Sequence, residues 1–266
     1  MIDNFHHKKK WGQNFLRDKN IVRKIVRLSG VTAADKVWEI GPGEGILTDE
    51  LLKVTENLSL FEIDPAIVEM TMERYGDLVR VYPGDVIKID WKQLLTEPVK
   101  IVANIPYQIT SPLLYKICRN SNMIPSVTLM VQKEFADRLR AVPNTKEYAG
   151  LTIKTQFFYH VKQLFKVPAH VFYPPPRVDS AVIQLTLRDD IPNLENLELF
   201  NQLVDAAFAM RRKTLRNNLK NFIGSDNIKL LEEANIIDLR RRGETLSEEE
   251  YLNLYSYLND VLKFRV

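Results

Sequence analysis

The segment Glu39–Gly45 constrains the fold more than any other part of this chain. It follows the strand-like run Lys36–Trp38 and directly precedes the helix-like run Ile46–Lys53. A strand that runs into a glycine-rich turn and then a helix is typical of nucleotide-binding α/β proteins. Alternate glycines let the backbone approach a ligand closely, and we expect the Glu39 carboxylate to orient the loop or face a cationic group. The G-x-G-x-x-G dinucleotide pattern is absent, because position 46 is Ile rather than Gly.

Three further apolar runs predict parallel strands that end in polar or glycine residues. They are Leu58–Ile63, which carries Glu62; Leu78–Tyr82, followed by Gly84 and Asp85; and Val99–Ala103, followed by Asn104. Ligands of open parallel sheets bind beyond the carboxyl ends of the strands, where an acidic residue on the second strand reads ribose hydroxyls. We therefore expect Gly41, Glu62, Asp85 and Asn104 to lie at one edge of the sheet.

The turn Asn104–Tyr107 suits a site that holds an adenine base and its exocyclic amine. The lone pair of that amine is delocalised into the ring, so an enzyme that alkylates it must draw the lone pair back onto nitrogen. The side-chain oxygen of Asn104 and the backbone carbonyl of Ile105 can accept its two hydrogens. Pro106 stiffens the turn and Tyr107 offers a face on which the base can stack. A structural strand end followed by a turn is the alternative interpretation of the turn alone.

With these blocks the chain resembles the small-subunit (16S) ribosomal RNA adenine dimethyltransferases, the KsgA or RsmA family. The resemblance runs almost from end to end. The further blocks that carry it are Lys9–Leu16, Phe172–Ser180, Phe208–Arg216 and Arg242–Ser247. It implies a Rossmann-like class I methyltransferase fold, S-adenosyl-L-methionine as methyl donor, and dimethylation of the N6 amines of two adjacent adenosines near the 3′ end of the RNA.

The resemblance also implies roles for individual residues. It implies that Glu62 accepts from the ribose hydroxyls of the cofactor, that Asp85 accepts from its adenine amine, and that Phe172 joins Tyr107 in stacking on the target base. The cofactor-binding set is Gln13, Asn14, Leu16, Gly41, Gly43, Glu62, Asp85 and Asn104, with Gly45 in the same loop. The catalytic set is Asn104, Ile105, Tyr107 and Phe172, and neither a metal nor a covalent intermediate is required.

Basic clusters are the candidate RNA contacts. The net charge of +3 is mild, but residues 1–27 hold eight Lys or Arg against two Asp. Local clusters matter more to phosphate contact than the total charge. The candidates are Lys8, Lys9, Lys10, Arg138, Arg211, Arg212, Lys213 and Arg216. Arg240–Arg242 fits a solvated face as well as an RNA contact.

Periodicity predicts two domains. Alternating strands and helices run from Lys36 to about Gln132, with helices at Ile46–Thr55, Pro65–Tyr75, Ser111–Arg119 and Lys133–Arg140, and Thr155–Val167 and Ala181–Leu187 read as a closing pair of strands. After the linker 188–196 the pattern becomes helical, with start signals at Ser225 and Ser247 and stops at Gly224 and Gly243. We predict a methyltransferase domain over 1–187, with a basic arm over 1–27, and a small all-helical domain over 197–266.

Composition places the chain among cytoplasmic proteins. A single cysteine, Cys118, allows no intrachain disulfide and lies in an apolar run typical of a core position. No apolar run approaches the roughly 18 residues of a membrane span, and the first ten residues are polar. His6, His7, His160 and His170 have no metal-ligand spacing with Cys118. We expect a monomer with no metal and no membrane partner, acting on small-subunit RNA within a partly assembled 30S particle.

Three other functions remain open from the sequence. A sister class methylates a large-subunit RNA adenine and shares the glycine loop and Asn104–Tyr107, but not the Phe172–Ser180 and Arg211–Arg216 blocks. A binding module that checks small-subunit assembly is the second, and is disfavoured as a sole role by intact Glu62, Asp85 and Asn104. An NAD-dependent oxidoreductase is the third, disfavoured by Ile46 and by the lack of a proton donor near Asn104.

Overall fold

Two compact units make up the part of the chain that the structure, a computed structural model, describes. Backbone is described for residues 15–263 and side chains for 15–260. Among the described residues, the first unit comprises 15–136 and Tyr159–Leu187, and the second comprises Asp137–Phe158 and 188–263. These units differ from the ranges 1–187 and 197–266 because residues 137–158 and the linker 188–196 belong to the second unit.

A mostly parallel sheet forms the centre of the first unit. The strands, in chain order, are β1 (Phe15–Leu16), β2 (Lys36–Ile40), β3 (Leu58–Glu62), β4 (Arg80–Pro83), β5 (Val99–Asn104), β6 (Ser126–Gln132), β7 (Tyr159–Val167), β8 (Phe172–Tyr173) and β9 (Ser180–Leu187). Seven of them pair in the order β4-β3-β2-β5-β6-β9-β7. The five strands β4, β3, β2, β5 and β6 are mutually parallel, and β9 runs antiparallel to both β6 and β7. The carboxyl ends of β2, β3, β4 and β5 therefore meet at one edge, as the sequence predicts.

Apolar strand residues and the helices around them form the core of the first unit. The helices of the unit are α1 (Lys19–Ser29), α2 (Ile46–Leu51), α3 (Pro65–Tyr75), α4 (Thr110–Arg119) and the start of α5 (Lys133–Leu139). Strand β5 contributes Ile101, Val102 and Ala103, all buried, as expected of a central strand covered on both faces. Cys118 on α4 is a buried free thiol, in agreement with the core interpretation.

The second half of the predicted basic arm is a helix packed against the core. Asp18 caps α1 by accepting from the backbone N–H groups of Asn20 and Ile21 at 2.8 and 3.2 Å. Val22 and Ile25 recur on one face of the helix and are buried. By composition alone, the basic residues of this segment suggest a phosphate-binding arm. In the structure they lie on the outer face of helix α1, which packs against the core.

A short second sheet joins the beginning of the described chain to the proline-rich block. Strand β1 pairs antiparallel with β8, with Phe15 opposite Tyr173 and Leu16 opposite Phe172. Leu16 and Phe172 are both buried in the main core. The sequence gives no alternating pattern that would predict this pairing, because each strand is only two residues long.

Helices form the second unit. They are α6 (Gly150–Phe158), α7 (Leu197–Phe208), α8 (Leu215–Ala234) and α9 (Glu248–Lys263). Gly224 has φ 81° and ψ 166° and kinks α8, at a predicted stop. The other predicted stop, Gly243, is buried and begins a 3₁₀ turn. Ser247 and Glu250 form a capping box at the start of α9.

The prediction of a strand over Thr155–Val167 is wrong in its first four residues. Residues up to Phe158 belong to α6, and β7 begins at Tyr159. Thr155, Phe157 and Phe158 favour strands, yet almost every side chain of α6 is buried, and the ring centroid of Phe157 lies 4.9 Å from that of Phe200 on α7. Packing within the unit overrides local strand propensity here.

No helix in the described residues has the length and apolar character that a membrane span requires.

Candidate active site

A cavity of about 270 Å³ lies at the carboxyl edge of the sheet in the first unit. Its walls come from the glycine loop, the ends of β3 and β5, the residues after β4, and β1. The predicted site residues that line it are Leu16, Gly41, Gly43, Glu62, Asp85, Asn104 and Ile105. The structure therefore brings together residues from Leu16 to Ile105 that lie far apart in the sequence.

The glycine loop is held close to the Asn104 turn. Gly41 has a φ of 72°, a left-handed conformation that side-chain-bearing residues rarely adopt. A Cβ at Gly41 would lie 3.8 Å from the backbone oxygen of Asn104 and 3.8 Å from Cδ of Pro106. A side chain here would lie against the turn, so glycine keeps this part of the cavity wall free of side-chain atoms.

Two side chains of α3 brace the outer side of the glycine loop. Arg74 Nη1 donates to the carbonyl of Glu44 at 2.9 Å and Nη2 donates to Asp49 Oδ2 at 2.6 Å. Tyr75 Oη lies 3.1 Å from the carbonyl oxygen of Gly45 and 2.8 Å from Asp49 Oδ1. A Cβ at Gly45, where φ is 81°, would lie 2.1 Å from Tyr75 Oη. Gly45 therefore permits the contact that fixes the loop to α3.

Glu39 is a buried carboxyl group behind the loop. Its side chain belongs to a residue only 1% exposed, and its Oε2 accepts from Thr48 Oγ1 on α2 at 2.7 Å. Burial raises the pKa of Glu39 to about 8, against the opposing effect of the Thr48 hydrogen bond. Of the two expected roles, the contact with Thr48 matches the orienting one, because it ties the strand before the loop to the helix after it.

Glu62 ends β3 in a position suited to binding hydroxyl groups. It is 5% exposed, and its Oε1 accepts from the backbone N–H groups of Ile63 and Asp64 at 2.8 and 2.9 Å. These bonds fix the carboxyl group at the cavity wall. Burial raises the pKa of Glu62, although the backbone bonds favour its charged form.

The loop after β4 carries Asp85 to the cavity. The N–H of Gly84 donates to the carbonyl of Glu62 at 2.7 Å, which sets this loop beside the end of β3. Asp85 Oδ1 accepts from the N–H of Ile87 at 2.9 Å, an Asx turn that restricts the carboxylate. The two predicted cofactor carboxylates therefore lie on neighbouring strand ends.

The Asn104–Tyr107 segment leaves the sheet in a tight turn. Asn104 ends β5, Pro106 has φ −57°, and a 3₁₀ turn over Tyr107–Ile109 leads into α4. Tyr107 is half-buried and its Oη lies 2.7 Å from Ser180 Oγ at the start of β9. Burial raises the pKa of the Tyr107 phenol, so the hydroxyl remains protonated. Ser180 thus anchors the hydroxyl end of the Tyr107 ring. From the sequence, Ser180 is placed only in the Phe172–Ser180 block, and this contact is not predicted.

The aromatic ring of Phe172 does not face an open site in this structure. The residue is 4% exposed and packs in the core with Leu16. Its neighbour Tyr173 is 50% exposed, and the Arg17 guanidinium lies 4.6 Å from the centroid of the Tyr173 ring. A stacking role for Phe172 would require the ring to leave the core, so that role stays a prediction.

The candidate RNA contacts of the second unit are exposed, and some are already paired. Arg138, Arg211, Arg212, Lys213 and Arg216 all have exposed side chains. Arg211 Nε donates to Glu244 and Arg216 Nε donates to Glu232, at 2.5 and 2.7 Å. Within the Arg240–Arg242 run, Arg240 pairs with Asp238 and Arg241 with Glu250, which favours the solvated-face interpretation for these two residues.

Five predicted residues lie outside the described residues, and their roles stay predictions. They are Lys8, Lys9, Lys10, Gln13 and Asn14. Between residues 15 and 260, no group of three or more His, Cys, Asp or Glu side chains is arranged to hold a metal ion.

Comparison with known proteins gives one family over nearly the whole chain. The family model described as ribosomal RNA adenine dimethylase matches residues 4–260. Ribosomal RNA small subunit methyltransferase A of Clostridioides difficile (strain 630) is 41% identical over 267 residues, which cover 96% of this chain and 92% of that relative.

Two solved structures are similar over most of their length. The crystal structure of a dimethyladenosine transferase from Plasmodium falciparum has a TM-score of 0.79 and 28% identity, covering 92% of this chain and 98% of that one. The crystal structure of the 23S rRNA methyltransferase ErmE has a TM-score of 0.67 and 26% identity, covering 92% and 100%.

Proposed function

The chain belongs to the ribosomal RNA adenine dimethylase family, and we propose that it transfers methyl groups from S-adenosyl-L-methionine to the N6 amines of two adjacent adenosines near the 3′ end of 16S ribosomal RNA. Each amine receives two methyl groups. The observation that carries this proposal is the single cavity whose wall combines the glycine loop, Glu62, Asp85, Asn104 and the Ile105 backbone. A site of that composition offers acceptors for a methyl donor and for an adenine amine within one cavity.

The residues of the cavity fit the cofactor. Two carboxylates on adjacent strand ends suit the ribose hydroxyls and the adenine amine, because charged acceptors bind neutral N–H and O–H donors strongly. Gly41 has no side chain, so the methionine part can approach the loop backbone at the cavity wall. When bound, S-adenosyl-L-methionine supplies an electrophilic methyl group on its sulfonium.

Asn104 and Ile105 act on the target amine. In the first transfer, the Asn104 side-chain oxygen and the Ile105 carbonyl accept from the two N–H groups of the amine. In the second transfer, one of them accepts from the single N–H that remains. Both arrangements turn the nitrogen lone pair toward the methyl group. Positioning and fixed dipoles then account for most of the rate. As the N–C bond forms, the bond from the methyl carbon to the sulfonium sulfur breaks and its electron pair stays on sulfur. The nitrogen becomes positively charged and acidic, and it releases its proton to water.

Tyr107 holds the base outside its RNA stack. Extruding a base costs a few kcal/mol, less in a loop than in a duplex. Stacking on an aromatic ring contributes about 1–3 kcal/mol per base and offsets that cost. The bond to Ser180 fixes the ring while leaving the residue half-exposed.

The substrate is proposed to be the small-subunit RNA within a partly assembled 30S particle, with the protein acting as a monomer in the cytoplasm. A protein of 266 residues contacts a small part of so large an RNA. Docking through shape and phosphates suits the exposed basic residues Arg138, Arg212 and Lys213. The same docking would serve an assembly-checking role, which is compatible with catalysis.

The first test is methyl transfer from labelled S-adenosyl-L-methionine to unmethylated 30S particles and, in parallel, to naked large-subunit RNA, followed by nucleoside analysis. Dimethyladenosine is expected with the small-subunit particle alone. Label in the large-subunit RNA alone would assign the chain to the class of ErmE. Cofactor binding without transfer to either RNA would instead favour the assembly role.

A further inference from the structure

The ammonium group of Lys116 binds the loop that carries Asp85. Lys116 lies on α4, and its Nζ donates to the carbonyls of Val86 at 3.0 Å, Ile87 at 2.7 Å and Ile89. A lysine ammonium has three N–H donors, and three carbonyl acceptors use them all. These carbonyls therefore point at α4 rather than into the cavity that Val86 lines.

A second donor reinforces this arrangement from the core. Trp91 is fully buried and its Nε1 donates to the Val86 carbonyl at 3.1 Å. The Lys116 ammonium lies 5.0 Å from the centroid of the Trp91 ring, within the range of a cation–π contact. Burial lowers the pKa of Lys116, and the carboxylates of Asp85 and Asp90 oppose that effect. The Lys116 ammonium thus fixes the loop by binding the loop's backbone carbonyl oxygens.

We propose that Lys116 is a positioning residue for the cofactor's adenine ring, acting by fixing the backbone from which Asp85 reaches the cavity. Asp85 shares this loop, because its Oδ1 accepts from the N–H of Ile87, whose carbonyl binds Lys116. Removing the ammonium frees that turn, and the carboxylate loses its fixed direction. The inference rests on the proposed function, in which Asp85 accepts from the adenine amine.

The geometry also links the two halves of the site. The helix that carries Lys116 begins directly after the Tyr107–Ile109 turn, so one continuous segment runs from the target-base residues to the adenine loop. The loop after β4 is therefore positioned both by β4, from which it leaves, and by α4, which follows β5 in the chain.

The test compares two ligands that differ at the adenine amine. S-adenosyl-L-homocysteine presents an N–H donor to Asp85, whereas S-inosyl-L-homocysteine presents a carbonyl oxygen there. Wild-type protein is expected to bind the adenosyl ligand about tenfold or more tightly, since a carboxylate gains a charge-assisted bond from one and faces an acceptor in the other. Dissociation constants are measured by calorimetry.

Lys116→Met is expected to lower that preference to about threefold or less, because the carboxylate is no longer aimed at the amine. Asp85→Asn is expected to remove the preference, and adding Lys116→Met to it should change the ratio no further. Lys100→Met is the matched control. Its ammonium donates to the Gly30 carbonyl and to Asp35 in the same unit but not at the cavity, so the wild-type ratio is expected.

A Lys116→Met protein that keeps the wild-type ratio would overturn the inference, because a loss of general stability alone weakens both ligands equally. If that variant does not fold, Trp91→Phe carries the test: it removes one donor to Val86 and should lower the ratio in the same direction, and an unchanged ratio counts against the proposal. Measurements on the wild-type protein alone show whether the proposed function itself fails. A wild-type protein that binds neither ligand, or both equally, would reject the cofactor or Asp85 role before any Lys116 variant is made.

Discussion

The hydroxyl groups of Tyr107 and Ser180 lie 2.7 Å apart, joining residues separated by 73 positions in the chain. Tyr107 begins the turn after β5, whereas Ser180 begins β9, which pairs with β6. The contact fixes one end of the ring that is proposed to hold the target base.

Tyr107→Phe and Ser180→Ala are each expected to lower the rate of methyl transfer by about two- to tenfold, the worth of one hydrogen bond. Affinity for S-adenosyl-L-homocysteine should not change, because neither hydroxyl lines the cavity. The double variant should be no slower than the slower single one, since both changes break the same bond. Additive losses would mean that the two hydroxyls act separately.

Tyr107→Ala is expected to weaken methyl transfer far more than cofactor binding, because it removes the stacking face as well as the hydroxyl. Loss of about 1–3 kcal/mol of stacking corresponds to a roughly 5- to 150-fold drop in kcat/KM for RNA. Steady-state kinetics with varied RNA, alongside calorimetry with the cofactor product, separates the effects. An equal loss in both measurements would contradict the stacking role.

Asn104→Ala should reduce the methyl-transfer step by about a hundredfold or more, the usual effect of deleting one preorganised dipole at a reacting centre. Single-turnover transfer under saturating cofactor reports this step directly. Asn104 also lines the cavity, so some loss of cofactor affinity is expected, but a much smaller one. Retention of near wild-type transfer would exclude Asn104 as an acceptor for the amine.

Gly45→Ala is expected to destabilise the protein by about 1–3 kcal/mol, because alanine is strained at a φ of 81° and its Cβ would meet Tyr75 Oη. Tyr75→Phe removes that oxygen. The loss of stability in the Gly45→Ala, Tyr75→Phe double variant should therefore be smaller than the sum of the single losses, as measured by urea denaturation. Strict additivity would show that backbone strain alone sets the cost.

Glu39→Gln should change how stability depends on pH. The carboxyl pKa rises from 4.5 to about 8 on folding, so between these values the folded state holds a proton that the unfolded state releases. Rising pH therefore favours unfolding, by roughly 1.4 kcal/mol per pH unit within that window. Wild-type stability should fall relative to Glu39→Gln from about pH 5 to 8, and denaturation curves that run parallel across this range would contradict the buried-carboxyl assignment.

The sequence predicts the site where local pattern and strand topology suffice. Gly41, Glu62, Asp85 and Asn104 each lie at or just after the end of an apolar run. Parallel strands bring such ends to one edge, so the grouping can be predicted without knowing the loop conformations. Pro65–Tyr75 is predicted with its observed bounds because Asp64 and Pro65 provide a local start and Gly76 a local end.

Other features depend on contacts that periodicity does not report. The bonds of Ser180 to Tyr107 and of Lys116 to Val86 require the order of strands in the sheet and the register of α4, neither of which a local pattern contains. Helix α1 is not predicted, because the segment is judged by its number of Lys and Arg residues. That count ignores the apolar face formed by Val22 and Ile25.

The position of β9 between β6 and β7 has a consequence for synthesis. The ribosome releases β7 before β9, yet in the described sheet β7 pairs with β9 alone. A nascent chain that ends before residue 180 therefore has a strand without a partner and a Tyr107 without its anchor. The methylating site is completed late in translation, when a strand inserts between two that the ribosome has already delivered.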